Sequence, residues 1–171
     1  MSENNGMTII ASKGTLDWAF PPFIVGSTAA AMGKEVTIFF TFYGLGLLLK
    51  DLSSLRVSPQ GNPAMPMKMP FGPQWLQKID FGPKIPNIMW NIPGMEFFAT
   101  SMMKKTMKKN NIATIEELRE VCLEMGVKLI ACEMTIGMFG YSRDDFIDGI
   151  EYAGAATYLD IAQGSNHDLF I

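Results

Sequence analysis

Histidine is almost missing from this chain. His167 is the only one, so a Cys–His or Ser–His–Asp enzyme would have to use it. Its neighbours Asn166 and Asp168 read as a turn, not a triad. Cysteine is scarce as well. Cys122 and Cys132 are the only two in 171 residues. They make no disulfide framework, no zinc pattern with a single histidine, and no CxxC pair. Reduced thiols in a cytoplasm are the expectation, with no metal and no cofactor. Charge is low too, at 18% of residues against the usual quarter. A net charge of −3 and the lack of any binding motif give no reason to expect nucleic acid. Neither G-x-G-x-x-G nor G-x-x-x-x-G-K-[ST] occurs. Long hydrophobic runs are absent: the uncharged stretches from Trp18 to Gly33 and from Val36 to Leu49 fall short of the ~20 residues of a membrane span. The start, Met1-Ser2-Glu3-Asn4-Asn5, lacks the basic and apolar parts of a signal peptide. A soluble, cytoplasmic protein is expected.

What is abundant is apolar surface. Hydrophobic residues make up 48% of the chain. One domain of this length buries about two-thirds of its unfolded surface, so a large core, an oligomer interface or both are implied.

The elements alternate. Met7 to Ala11 is an apolar, β-branched strand. Thr15 or Asp17 caps the next helix, and Pro21-Pro22 lie near its start or kink it. The small residues from Ile24 to Met32 allow close packing on a sheet, and Gly33 stops the helix. Glu35 to Phe40 is a strand covered on both faces. This βαβ order makes the sheet parallel. Thr41-Phe42-Tyr43-Gly44 turns, and Leu47 to Leu55 reads as a short helix. Phe97 to Lys109 is a helix with Lys104, Lys105, Lys108 and Lys109 on one side. That side is either a docking patch for an acidic partner or a membrane surface, or simply a solvated face. Thr114 and Glu117 form a capping box, opening a helix that puts Cys122 on the face turned to the sheet. Ser142 starts another short helix; Glu151 to Ala153, Ala155 to Gln163 and Asp168 to Ile171 read as strand or turn, helix and edge strand.

Between these elements, residues 56–96 change character. Eight of the ten prolines fall there, Pro59 to Pro93, together with Met65, Met67, Met69, Met89 and Met95. Regular structure cannot run far through such a stretch. Phe71, Trp75, Phe81 and Trp90 make it too apolar for a solvated linker. It reads as an excursion inserted into a single domain of residues 1–171. A membrane contact, if there is one, would be made here.

The chain is organised around Val127 to Gly140. An apolar strand ends on Cys132, and a Gly-punctuated loop follows. In open parallel sheets the chemistry sits outside the carboxyl ends of the strands. Cys132 therefore stands where a nucleophile would, unless it is an ordinary core cysteine. Lys13 and the Thr41–Gly44 turn follow other strands on the same edge. Lys13 could steady a thiolate or persulfide, or be an exposed turn lysine. Phe42 and Tyr43 would wall the pocket. A low-polarity pocket with one anionic sulfur and no general base suits carriage of a labile sulfur better than hydrolysis. Cys122 is read as a core residue, or as a resolving thiol only if its helix brings it near Cys132.

Gly33-Lys-Glu-Val-Thr-Ile-Phe-Phe-Thr-Phe-Tyr-Gly44, Gly126-Val-Lys-Leu-Ile-Ala-Cys-Glu-Met-Thr-Ile-Gly-Met-Phe-Gly140, Ala-Met-Pro-Met at 64–67 and the ending Glu151-Tyr-Ala-Gly-Ala-Ala-Thr-Tyr158 resemble the DsrE/DsrF-like sulfur-transfer family. They are most like its larger single-chain subgroup with a Pro/Met-rich insertion. The resemblance implies a three-layer α/β/α domain of about five mainly parallel strands that assembles into homo-oligomers. It implies a cysteine, here Cys132, that holds sulfane sulfur as a persulfide and passes it between donor and acceptor proteins. Two other readings stay open: a peroxide- or disulfide-reducing protein using Cys132 with Cys122, and a non-catalytic assembly module.

Overall fold

Strands that are apolar nearly throughout must be covered on both faces, which parallel α/β packing provides. The computed structural model, which describes residues 5–58, 72–78 and 94–171, has this arrangement. In chain order the elements are β1 (Gly6–Ala11), α1 (Leu16–Ala31), β2 (Glu35–Phe40), α2 (Gln74–Gln77), α3 (Met95–Lys109), α4 (Ile115–Glu124), β3 (Lys128–Cys132), α5 (Glu133–Phe139), β4 (Glu151–Ala153), α6 (Ala155–Gln163) and β5 (Ser165–Phe170). The five strands form one sheet in the order β4-β3-β2-β1-β5, and every neighbouring pair is parallel. The expected α/β class and strand number hold, and the carboxyl ends of all five strands lie along one edge.

The period of two along each strand divides the core. Phe40 turns to α1, where its ring stacks on Phe23 with centroids 5.5 Å apart. Phe39 turns the other way and packs on Tyr158 of α6 at 5.1 Å. Ile130 and Cys132 share that second face in a buried cluster with Phe39 and Tyr158. The Tyr158 hydroxyl donates to Thr8 Oγ1 at 3.2 Å, and Thr8 in turn donates to Asp168. Thr8 is buried, so this chain of donors satisfies a polar group inside the sheet.

Small residues set how closely α1 approaches. A Cβ on Gly26 would lie 2.8 Å from Ile38 Cδ1, and Ile38 is fully buried. Gly26→Val should therefore destabilise the fold by about 1–3 kcal/mol through overpacking, read as a lower urea midpoint at unchanged slope. Gly33 ends this segment in the left-handed region, φ +82°, as the helix stop requires. Thr15 occupies the N-cap position but its side chain makes no cap hydrogen bond. Pro21 and Pro22 fall inside the helix, in its second turn, where they remove two N–H donors.

Three sequence expectations are corrected. Leu47 to Leu55 is not a helix: a 3₁₀ turn covers Phe42–Leu48. Leu49 is then extended and forms an antiparallel bridge with Phe146. The buried Arg119 of α4 explains the early stop, since it donates to the Leu47 and Leu49 carbonyls at 3.0 and 2.8 Å and so takes acceptors a helix would have used. The stretch after Cys132 is the helix α5, not a loop. The segment after Ser142 is only a 3₁₀ turn, Arg143–Asp145, with a complete capping box. The capping box of α4 is present as expected, Glu117 N–H donating to Thr114 Oγ1 at 3.2 Å and Thr114 N–H to Glu117 Oε2 at 2.7 Å.

Contacts divide the chain into two compact units. Residues 1–55 and 114–171 form the sheet unit, and residues 56–113 the other. Most of the expected Pro/Met-rich excursion, residues 59–71 and 79–93, lies outside the described residues. Within the second unit, Val57 N–H donates to Thr100 Oγ1 at 3.0 Å. Among the described residues, no helix is long and apolar enough to cross a membrane.

Candidate functional site around Cys132

A strand that ends and passes at once into a helix puts its last side chain beside the first unpaired N–H groups. Cys132 is both the last residue of β3 and the N-cap of α5. Its residue surface is only 3% exposed. Burial pushes the thiol pKa up. Against this, the Thr135 hydroxyl and N–H, the Thr41 hydroxyl and the Met134 N–H lie close enough to the sulfur to favour its anion. These donors outweigh burial, and the pKa lies below the ordinary thiol value. None of the groups on the sulfur is a base.

The donors are themselves held. Thr135 is buried to 1%. Its Oγ1 accepts from Phe42 N–H at 3.3 Å and lies 3.2 Å from Thr41 Oγ1. With an N–H already on its oxygen, the Thr135 hydroxyl has its own proton left to give. Phe42 reaches this position in the left-handed region, φ +48°, a conformation that costs a non-glycine residue free energy. The turn that carries it is pinned to the loop after β1. Thr41 N–H donates to the Ala11 carbonyl and Gly44 N–H to the Ser12 carbonyl, both at 3.0 Å. Cβ atoms on Gly44 and Gly14 would sit 2.1 Å from Ala11 O and 2.0 Å from Tyr43 O. Both positions are glycine because backbone lies against backbone there.

The rim of this cradle is apolar. Tyr43 and Met134 are 72% and 70% exposed, and Phe42, Met138 and Phe139 are exposed as well. Tyr43 stacks on Phe139 with centroids 6.0 Å apart, joining the turn after β2 to α5. Arg143 and Glu133 nearby pair with each other at 2.6 Å.

The sequence-read residues are thus placed as follows. Thr41 is among the groups that favour the Cys132 anion, Gly44 fixes the turn, and Tyr43 belongs to the rim. Lys13 lies beyond β1, with β2 between it and β3, and its ammonium sits over the Trp18 ring, 3.3 Å from the centroid. Cys122 is elsewhere. It is fully buried, and its thiol donates to the Phe23 carbonyl of α1 at 3.5 Å. Its own carbonyl accepts from Val127 N–H at 2.9 Å, and from Val127 to Cys132 the extended chain advances about 16 Å. That exceeds the ~7 Å between Cα atoms that a disulfide tolerates, so the two thiols, both free, cannot pair without refolding. Thr135, Met134, Phe139 and Arg119 were not read as functional from sequence. A usable signal existed for Thr135: it stands three residues after Cys132, the N-cap-to-N3 spacing of a capping box.

Burial holds the Cys122 thiol up at about 11, against a smaller opposing contribution from the Ser27 N–H. An acid whose pKa is raised on folding stabilises below its unfolded value of 9.0 and loses that contribution as pH rises through about 11. The melting temperature should therefore fall across that window more steeply in the native protein than in Cys122→Ala, as measured by thermal scans at matched pH.

An all-parallel α/β sheet with a buried, acidified thiol at its carboxyl edge defines a class of small cysteine proteins. The family follows from comparison with known sequences. The profile of the DsrE/DsrF/DrsH-like family matches residues 3–170, and the chain belongs to that family. It is 50% identical over 169 residues to the sulfur carrier protein DsrE2 of Allochromatium vinosum, covering 99% of each chain. It is 36% identical over 171 residues to the uncharacterized protein YrkE of Bacillus subtilis, covering 96% of this chain and 95% of that one. Among solved structures, the ychN protein from E. coli matches with a TM-score of 0.54 at 10% identity, over 98% of this chain and 99% of the other. At that identity the likeness concerns the fold.

Proposed function

We propose that this protein is a sulfur carrier that holds sulfane sulfur as a persulfide on Cys132 and gives it to a partner thiol. The Cys132 thiolate attacks the outer sulfur of a donor persulfide. A new S–S bond forms, and the donor leaves as its thiolate. An acceptor thiolate then attacks the outer sulfur on Cys132, and Cys132 leaves as the thiolate it was. No oxidant is consumed and no base is needed beyond whatever deprotonates the incoming thiols. The observation that carries this reading is the set of hydroxyl and N–H donors around a nearly buried sulfur. Such a cradle stabilises an anionic sulfur and keeps water from it. The name of the A. vinosum relative, a sulfur carrier protein, supports the same reading.

The donor and acceptor are proposed to be proteins, because the rim around Cys132 is apolar and exposed and suits a macromolecular surface better than a small hydrophilic thiol. The protein is proposed to work in a reducing cytoplasm as a homo-oligomer, as one DsrE-like domain carrying residues 56–96 as an insertion. The disulfide-forming reading with Cys122 has the geometry against it.

Intact mass after incubation with polysulfide or a donor persulfide tests the proposal. Native protein should gain about 32 Da per chain, one sulfur, and lose it on reduction. No gain under any donor, with Cys132 shown reduced and alkylatable, would overturn it.

A further inference from the structure

The amino edge of the sheet has a cavity that sulfur carriage does not use. It measures about 340 Å³, and Thr8, Glu35, Thr37, Lys128, Ile161 and Gly164 are among the residues that line it. It thus lies where β1, β2 and β3 begin and α6 ends. From Lys128 to Cys132 the strand advances about 13 Å, so this cavity and the sulfur cradle are separate.

The period of two puts Glu35, Thr37 and Lys128 on the α6 face, because Phe39 and Ile130 of the same strands pack there with Tyr158. Thr37 is the register partner of Thr8 in β1 and of Lys128 in β3, so these three side chains form a row across the cavity floor. The Thr8 hydroxyl is engaged inside the fold, by Tyr158 and Asp168. The Thr37 hydroxyl is not. Thr37 is only 5% exposed, yet its hydroxyl has no hydrogen-bond partner among the described residues. Nor is it sealed: among the described residues that are not exposed, only Thr15 Oγ1 is a side-chain polar atom both sealed and unpaired. Buried hydroxyls are ordinarily paired, and the cavity is the open side from which a partner reaches this one. The charges beside it are unpaired as well. Glu35 stands two positions before Thr37, diagonal to Lys128, but neither forms an ion pair with a described residue.

These groups narrow the occupant. A bare anion drawn to Lys128 meets Glu35, and a bare cation drawn to Glu35 meets Lys128. A compact molecule with one charge of each sign satisfies both. The end of α6 gives it a direction, since the partial negative charge of a helix C-terminus favours a cation. The volume falls at the small end of ligand pockets, which run from about 300 to 1,000 Å³. We infer that this amino-edge cavity binds a free α-amino acid, its carboxylate on Lys128 and the Thr37 hydroxyl and its ammonium between Glu35 and the end of α6. This holds whether or not Cys132 carries sulfur.

Thermal scans of the full-length protein with each of the common L-amino acids at millimolar concentration test it. At least one should raise the melting temperature by a few degrees, because a ligand of the folded chain stabilises it by mass action. Isothermal titration with that amino acid then gives the affinity. Thr37→Val, Lys128→Met and Glu35→Gln should each bind it about tenfold more weakly. Without ligand, Thr37→Val should melt no lower than the native protein, since the hydroxyl it deletes has no partner, so loss of binding is not loss of fold. Absence of any shift overturns the inference. Binding undiminished in any one of the three variants overturns it too. Acetate binding as tightly as the amino acid would make the cavity an anion site, and methylammonium doing so would make it a cation site; either result overturns the inference.

Discussion

Cys132→Ser is expected to take up no sulfane sulfur, Cys122→Ser to take up the native amount, and Thr135→Val to load at neutral pH about tenfold more slowly than the native chain. The reasoning runs through the thiolate. Cys132 reacts as its anion, and the anion is favoured by the Thr135 hydroxyl and N–H, the Thr41 hydroxyl and the Met134 N–H. Valine keeps the shape of Thr135 and its N–H but deletes the hydroxyl. A hydrogen bond to a charged group is worth about 1.5–3 kcal/mol, and about 1.4 kcal/mol is a factor of ten in the thiolate population. It also leaves the Phe42 N–H without the oxygen that now accepts it. Thr135→Ser should restore most of the rate. The pH profile of iodoacetamide labelling separates chemistry from collapse. In Thr135→Val the rate should still rise to a plateau, but at higher pH, because the lost donor had held the pKa down. Equal profiles for Thr135→Val and the native protein would show that the hydroxyl does not act on the sulfur. Cys122 should stay unlabelled in the folded protein until strongly alkaline pH, since burial holds its pKa at about 11.

Legibility from sequence followed the range of the interactions concerned. Glu35–Phe40 could be read to the residue, because an apolar β-branched run after a helix-stopping glycine has few other conformations. Thr114 with Glu117 could be read because a capping box closes within one turn. Cys132 could be placed at a strand end, and the edge it shares with Thr41 followed from a parallel sheet. The helix α5 could not be read from Glu-Met-Thr-Ile-Gly-Met-Phe, where Gly137 and two β-branched residues argue against helix. Contacts made at a distance overrule that preference: Thr135 is tied to Phe42 and Thr41, and Phe139 to Tyr43. Arg119 shows the same limit. On a helix wheel it falls beside Ile115 and Cys122, where its charge argues against burial, but in the fold it is buried and holds the carbonyls of Leu47 and Leu49. Neither role follows from residue type alone. Lys13 is the converse case: its edge was read correctly, while its partner is the neighbouring Trp18, on its own side of the sheet.

Gly44→Ala should cost about 2–4 kcal/mol, through overpacking and two broken or stretched hydrogen bonds. That is a fall of about 5–15 °C in melting temperature for a chain of this size. The new Cβ would lie 2.1 Å from the Ala11 carbonyl oxygen and 3.1 Å from the Ser12 nitrogen. Both are backbone, so no rotamer change relieves the overlap, and the loops after β1 and β2 must part. Parting them stretches Thr41 N–H···O Ala11 and Gly44 N–H···O Ser12. It also withdraws Thr41 and Phe42 from the sulfur cradle. The substitution should therefore slow Cys132 labelling as well as destabilise. Gly46, two residues on in the same 3₁₀ turn, is the control: a Cβ there meets nothing within 4 Å, and its φ does not fall in the left-handed region. Gly46→Ala should leave labelling unchanged and hold or raise stability by up to about 1 kcal/mol, by restricting the unfolded chain. If the two substitutions behave alike in melting and in labelling, close approach of the two loops is not what shapes the cradle. A loss confined to Gly44→Ala ties the reactivity of Cys132 to the contact that lets β1 and β2 end side by side.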